Sequence, residues 1–505
     1  MGQHGQELVQ AKPQEVAQAL QVQLTALRDR VWCGADLAMV NWLPRIQRPE
    51  FISSAANMAD WLALRQVDLT PLQAPLTRLG LSTLGRLEGH VRASMDAVIA
   101  ALTMISGGQQ AEFPDPAIFA AGEAVLAARR DEIFGDQMQV DPQTRIMVTL
   151  PTESAGDDGL LIRRLVAAGL DCFRINCAHD TPEVWAAMID QVRRTEAETG
   201  LRLPVSMDLG GPKFRVVKVS SGKDKKLFTP GDRFALAGRL SDGPKGMFCA
   251  TLSHAALLAA LLPAAMVSID DGKLWARVVK VATGHAVLEV TRAPAKGARI
   301  KPEKGVNLPG SDLRVDALTA DDLVALDFVV GHADIVSFSF VQTVADVQAL
   351  IAALHERLPE GGGLPAIILK IETPLGLRNL PELIVEAGGA TPVGVMIARG
   401  DLAVEIGFER LSEIQEEILW LCEAAQVPVI WATQVLEGMV KDGQASRAEV
   451  TDAAMSQRAE CVMLNKGPHV VEAVAFLRGI LGRMDRHQTK KAPRLGPLHV
   501  WASGD

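Results

Sequence analysis

The chain has 505 residues, 22% of them charged, and a formal net charge of −9. That length leaves room for about three domains of ~150 residues each and for an ample core. The acidic balance argues against a nucleic-acid partner, which calls for a basic face, and any bound phosphate must be held by local cations against the global field.

The opening stretch "MGQHGQELVQAKPQE" is polar and lacks the apolar run of a leader. "AALLAALLPAAMV" is about 13 residues long, too short to span a bilayer, so no membrane partner is expected. Six cysteines (Cys33, Cys172, Cys177, Cys249, Cys422 and Cys461) are scattered, with neither CxxC nor metal spacing. They are read as reduced side chains in a cytoplasmic protein.

Residues 1–140 carry helical spacing. Val16, Leu20, Leu24, Leu27 and Val31 form one stripe, and Val91, Met95, Val98, Leu102 and Ile105 another. Between them, "LTRLGLSTLGR" predicts two helices joined through glycine. Without a basic surround it is a plain junction, not a nucleic-acid hairpin.

From residue 145 the texture changes. Eight short apolar runs alternate with helical patterns: "RIMVTL" (145–150), "CFRINC" (172–177), "PVSMDL" (204–209), "IVSFSF" (335–340), "AIILKIE" (366–372), "VGVMIAR" (393–399), "VPVIWAT" (427–433) and "CVMLNK" (461–466). Near-continuous apolar strands between helices indicate a parallel sheet covered on both faces. Eight of them predict an α/β fold with a closed (β/α)8 TIM barrel. About 125 residues separate Asp208 from the fourth run, and "FRVVKV", "DRFALAG" and "MVSIDDGKLWARVVKVATGHAVLEVTRA" within that gap have strand texture. An all-β lid inserted after the third strand is expected. A last helix carries the stripe Val470, Val474, Leu477 and Leu481. The expected organisation is a helical region over 1–140, barrel over 141–211, lid over 212–303, barrel and final helix over 304–490, and a tail over 491–505.

Chemistry in such a barrel is expected at the C-terminal strand ends. There stand Arg174 and Asn176 on strand two, Asp208 on three, Lys370 and Glu372 on five, Arg399 and Asp401 on six, and Thr433 on seven. Buried strands need no such concentration of charge for packing. Glu372 and Asp401, on adjacent strands, are hard oxygen ligands suited to a magnesium or manganese ion that keeps several waters. Lys370 and Arg174 would flank a phosphoryl group and neutralise it during transfer. "ARGDLAVE" turns from strand six into a short helix, whose free amides near Gly400 and Asp401 could hold a carboxylate. The set suits a small substrate that carries both carboxylate and phosphate.

These residues sit in segments that resemble the pyruvate kinase family: "AIILKIETPLGLRNLPEL", "VMIARGDLAVEIG", "VPVIWATQVLEGMV" followed by "SRAEVTDAA", and "KGVNLPG" (304–310). The resemblance covers about residues 144–485, in order. It implies a barrel with a β-rich lid after strand three, and transfer of phosphate from phosphoenolpyruvate to ADP to give pyruvate and ATP. It also implies Lys370 between the phosphoryl group and the enolate oxygen, Glu372 and Asp401 on the metal, and Arg174 on the phosphate. Thr433 would lie near the face where enolpyruvate is protonated, and Gly400 with Asp401 would bind substrate. Arg215 and Lys304 would reach nucleotide phosphates, with Asn176 and the lid residue Asp271 on that side.

Three departures accompany the resemblance. The family's regulatory C-terminal domain has no counterpart, while a helical region stands in front, through which copies of the chain could assemble. The strand-eight motif Ser-Gly-Glu-Thr, linked in the family to proton delivery, is replaced by Asn465, Lys466 and Gly467. Finally, Ala178 stands where the family has a potassium-ligating serine, beside residues matching Asn176 and Asp208. Potassium-dependent members carry glutamate at the position of Lys213, and independent members carry lysine. The resemblance therefore implies that Lys213 pairs with Asp208 in place of potassium, which would not be required. Two rival readings use the same barrel: a phosphoenolpyruvate-binding regulator with little turnover, and a metal-dependent lyase or aldolase acting on an enolate.

Overall fold

The computed structural model describes residues 12–108, 111–136, 143–220, 227–310, 315–490 and 492–493. The expected boundary at 140/141 and most of the expected tail lie outside them. Eight strands pair in parallel and close, the eighth beside the first: Arg145–Thr149, Cys172–Asn176, Val205–Asp208, Ile335–Phe338, Ala366–Ile371, Val393–Ala398, Val429–Ala432 and Cys461–Leu464. Every residue on them except Asn176 is buried. Strands covered on both faces need apolar residues throughout, which is why the runs show no alternation. The fold is the α/β barrel with an inserted sheet and a helical N-terminal region that the sequence predicts.

The inserted lid is a seven-stranded sheet running from Val216 to Asn307, with its own core. Phe228 meets Phe234 and Phe248 edge to face, at centroid distances of 5.5 and 5.0 Å. Two connecting segments join it to the barrel, and they pair with each other. Val306 N–H donates to Phe214 O (2.8 Å) and Val216 N–H to Lys304 O (2.9 Å). The lid thus hangs on a two-stranded ribbon.

Among the described residues of the N-terminal region stand five α-helices: α1 (Pro13–Trp42), α2 (Pro49–Arg65), α3 (Thr70–Arg78), α4 (Val91–Ile105) and α5 (Ala117–Phe134). Val16, Leu20, Leu24, Leu27 and Val31 are buried along α1, and Val91, Met95, Val98 and Leu102 along α4. The joint expected within "LTRLGLSTLGR" is different. Helix α3 ends at Arg78, Gly80 turns at φ +69°, and no helix follows until Val91. Leu84 and Leu87 are buried there, so packing rather than helical hydrogen bonding holds residues 81–90. Among the described residues no helix is long and apolar enough to cross a membrane.

This region shares one continuous apolar core with the barrel. One close approach is over the barrel helix Leu380–Ala390. Arg45 pairs with Glu382 and Glu386, Trp42 Nε1 donates to Glu382, and the amides of Gln47 and Arg48 donate to Gly389 O. Two glycines inside a helix cost about 1 kcal/mol each relative to alanine. Here they make room. A Cβ on Gly388 would lie 2.6 Å from the buried Phe51 ring, and one on Gly389 2.8 Å from Arg45 O. At the other end of the region, Ile133 and Phe134 close the N-terminal mouth of the barrel against Met147, Cys172, Ile368 and Cys461. Arg145 anchors that plug through Asp131 (2.6 Å).

Gly388→Ala should therefore overpack the junction and cost about 1–3 kcal/mol, read as a lowered melting temperature. Adding Phe51→Leu should recover part of the loss. An unchanged melting temperature for Gly388→Ala would mean that the two parts are not in close contact.

Candidate active site

Strand pairing puts Asn176 beside Asp208 and Arg174 beside Ser206, at the C-terminal rim. Asp208 is fully buried. Its Oδ2 lies 2.8 Å from Arg174 Nη2 and 3.2 Å from Lys370 Nζ. Burial opposes the Asp208 charge, but these two cations outweigh it and hold the carboxyl below its usual range. Arg174 also donates through Nη1 to Thr149 Oγ1 (2.8 Å), and its Nε is buried without a partner among the described residues. Lys370 donates to Ser339 Oγ (2.7 Å) and lies 3.6 Å from Glu372.

Glu372 is buried, and its Oε2 accepts the Phe340 amide at 2.6 Å. Burial pushes its carboxyl upward, and repulsion from Asp401 adds to that against the pull of Lys370. The two carboxylates are therefore near enough to repel each other. Two hard anionic oxygens in mutual repulsion fit a divalent cation. Among the described residues no group of three or more His, Cys, Asp or Glu side chains is arranged for a metal. Magnesium bound by two carboxylates and completed by water and substrate fits such a set.

Lys213 departs from expectation. Its Nζ lies 3.0 Å from Asp401 and 3.8 Å from the lid residue Asp271, not against Asp208. Asp208 already has two cations, and the turn through Gly211 (φ +64°) carries the lysine across to strand six. Burial works against the Lys213 charge, yet Asp401 and Asp271 raise its pKa.

Gly400 packs beneath Thr433: a Cβ there would meet Thr433 Cγ2 at 2.7 Å. Thr433 itself sits at φ +73°, an unusual conformation for a β-branched residue. Arg399 holds it there, donating to Thr433 O (2.7 Å) and Ala432 O (2.8 Å) while paired with Asp452 and stacked on Trp431. Arg399 thus supports the rim rather than entering the site. On the opposite side, Lys304 pairs with Asp270 (2.8 Å) and Arg215 donates to Glu303 O (3.0 Å). Asn176 Oδ1 accepts the Ala178 amide at 3.1 Å. His179 is held below its usual pKa, first by burial and then by Lys466 and Arg215, so cations converge on this opening.

Several contributors escaped the sequence reading. Ser339 and Phe340 follow directly on the fourth strand, and the second serine of "IVSFSF" is the available signal. Glu405 had none; its carboxyl is raised to about 7 by burial.

Asp208→Asn should strip Arg174 of its buried counter-charge, leave Lys370 only Glu372 at 3.6 Å, and cost about 3–5 kcal/mol of stability in urea unfolding. A loss below about 1 kcal/mol, the size of an exposed pair, would show the cluster to be solvated.

A family model for the pyruvate kinase barrel domain matches residues 141–473. Among curated relatives, a pyruvate kinase of Agrobacterium vitis is 32% identical over 68% of this chain and 69% of its own length. One from Methylorubrum extorquens is 33% identical over 69% of this chain and 70% of its own. A second pyruvate kinase from Agrobacterium vitis is 30% identical over 70% and 72%. A closed barrel with an inserted sheet, a rim of paired charges and a match across most of the barrel lead to one conclusion: the chain belongs to the pyruvate kinase family.

Proposed function

We propose that this chain transfers the phosphoryl group of phosphoenolpyruvate to ADP, giving pyruvate and ATP in the cytoplasm. The observation that carries the reading is the rim itself, where Arg174 and Lys370 stand beside two mutually repelling carboxylates. Glu372 and Asp401 would hold magnesium or manganese, which when bound supplies charge neutralisation to the phosphoryl oxygens. Arg174 would turn its unpartnered Nε toward the phosphate. Lys370, between Asp208 and Glu372, would stabilise charge both on the phosphoryl group and on the enolate oxygen as their bond breaks. A terminal oxygen of ADP forms the new bond to phosphorus. Gly400 and Asp401 would take the substrate carboxylate, and Thr433 stands at the side where carbon 3 gains its proton. Lys304, Arg215, Asn176 and Asp271 form the nucleotide side.

One observation favours binding with little turnover as a second reading. Asn465, at the end of strand eight, donates to Glu437 (3.2 Å), which pairs with Lys441 (2.5 Å). A Cβ on Gly467 would meet Val440 Cγ1 at 2.5 Å, so this end is tied down beside the helix that follows Thr433. Neither the serine nor the glutamate of the family's proton network is present. A coupled pyruvate assay with phosphoenolpyruvate, ADP and magnesium separates the two readings. Steady ADP-dependent pyruvate release is expected, and Asp401→Asn should lower it by on the order of 10²-fold or more through loss of the charge clamp. Saturable phosphoenolpyruvate binding without pyruvate would select the regulator.

The reaction is further proposed to run without potassium. Lys213 supplies a fixed positive charge 3.0 Å from Asp401, worth a few kcal/mol at an effective dielectric of about 20, and Ala178 offers no hydroxyl to an ion. Turnover should be equal in potassium, sodium and tetramethylammonium buffers. Lys213→Glu should lose on the order of 10²-fold in rate by the same charge argument. Potassium dependence in the wild type would overturn this part of the reading.

A further inference from the structure

The lid's connecting ribbon and the Arg399–Ile406 helix meet at a contact that the chemistry above does not use. Asn307, the last residue of the ribbon's return strand, is 6% exposed and donates through Nδ2 to Glu405 Oε1 at 3.1 Å. Glu405 lies one helical turn beyond Asp401, on the helix whose first turn contains Gly400. The other ribbon strand reaches the same helix through Lys213 and Asp401. A third contact comes from the lid's Asp270–Gly272 turn. A Cβ on Gly272 would lie 3.6 Å from Val404 and 3.9 Å from Phe408. Three separate points of the lid thus bear on one short helix.

The space around them is not packed solid. A cavity of about 250 Å³ lies between ribbon and barrel, walled by Phe214, Asn307, Phe340, Pro374 and Glu405 among others. Across a void, apolar packing cannot set an angle, because its walls lack partner atoms. The directional polar contacts must set it. The Asn307–Glu405 bond is the one of these that involves none of the groups expected to meet substrate or metal.

We propose that Glu405 is a positioning residue. With Asn307 it clamps the lid ribbon to the helix bearing Gly400 and Asp401, so that lid orientation and the substrate-binding turn move as one body. Burial and Asp401 raise the Glu405 carboxyl to about 7, so near neutral pH it is divided between its acid and carboxylate forms, both of which keep an acceptor oxygen for Asn307. A glutamine there should keep the acceptor that Asn307 needs.

The test has a structural arm and a kinetic arm, and only the kinetic arm rests on the phosphoryl-transfer reading. Spin labels are placed on the lid at Lys280→Cys and on the barrel at Glu413→Cys, in a Cys33→Ser background that removes the exposed native thiol. Distance distributions are then measured without substrate. Glu405→Ala and Asn307→Ala should each broaden the distribution, the double variant should broaden it no further, and Glu405→Gln should restore the narrow wild-type distribution. In the coupled assay, both alanine variants should raise KM for ADP about tenfold or more with a smaller change in kcat, whereas Glu405→Gln should stay within about threefold of wild type. Circular dichroism identifies a variant that has failed to fold, and the Asn307→Ala arm then carries the test. Unchanged distances in both alanine variants, or a Glu405→Gln as broad as Glu405→Ala, would overturn the proposal. A distance response in a chain that forms no pyruvate leaves the clamp standing and removes the proposed reaction instead.

Discussion

A carboxylate with no access to water, Asp208, constrains everything else at the rim. Leaving such a charge uncompensated costs several kcal/mol, so neighbouring strands must supply cations. Arg174 comes from strand two and Lys370 from strand five, across the barrel mouth. The same demand fixes where Lys370 Nζ sits, within reach of Ser339 and Glu372. Glu372 is positioned in turn by the Phe340 amide, at the end of the strand between Asp208 and Lys370. One buried negative charge therefore gathers side chains from strands two, four and five at a single point.

The N-terminal helices act on this rim from outside. Helix α2 seats Phe51 against Gly388 on the Leu380–Ala390 helix, while Asn57 donates to Ala424 O, at the end of the helix that precedes strand seven. Arg129, its pKa pulled down to about 10 by burial, donates to Ala425 O and Gln426 O at the same place. Helix α5 plugs the opposite mouth with Phe134. A site built on strand ends is only as rigid as the helices behind those strands. The region thus buttresses the two helical layers on which the charged rim depends.

The barrel was legible because doubly covered strands must be apolar along their length, so polar residues in those runs stand out at the C-terminal ends. Arg174, Asp208, Lys370, Glu372 and Asp401 were visible for that reason, and the structure brings them together. Lys213 is placed against Asp208 by the resemblance, which sets a lysine where potassium would sit, whereas its ammonium lies on Asp401 and Asp271. Chain direction after Gly210 and Gly211, and the prior occupation of Asp208, are tertiary facts. Gly388 and Gly389 looked like weak points in a helix, and their use becomes apparent only with Phe51 and Arg45 in place. Glu405 reads as one more acid on an amphipathic helix, since nothing local shows that its partner comes from the lid. Packing by period is written in the chain, and contacts between distant segments are not.

The charges at the rim also explain how an acidic protein could receive a polyanion. Four of the cations expected at the site are already engaged with carboxylates, Arg174 and Lys370 with Asp208, Lys213 with Asp401 and Asp271, and Lys304 with Asp270, while Arg215 donates to the Glu303 carbonyl. With Arg215, five cations stand against five carboxylates, Glu372 included, so the site by itself offers a phosphate no net positive charge. A phosphate entering alone would find only Arg215 without a carboxylate partner among the described residues and would have to compete for the other cations. A divalent ion on Glu372 and Asp401 would make the site net positive and relieve the repulsion that raises Glu372. It would also compete with Lys213 for Asp401, freeing an ammonium at the moment a phosphoryl group needs one. Metal and phosphate affinity are then coupled by electrostatics alone, each tightening the other by the same factor.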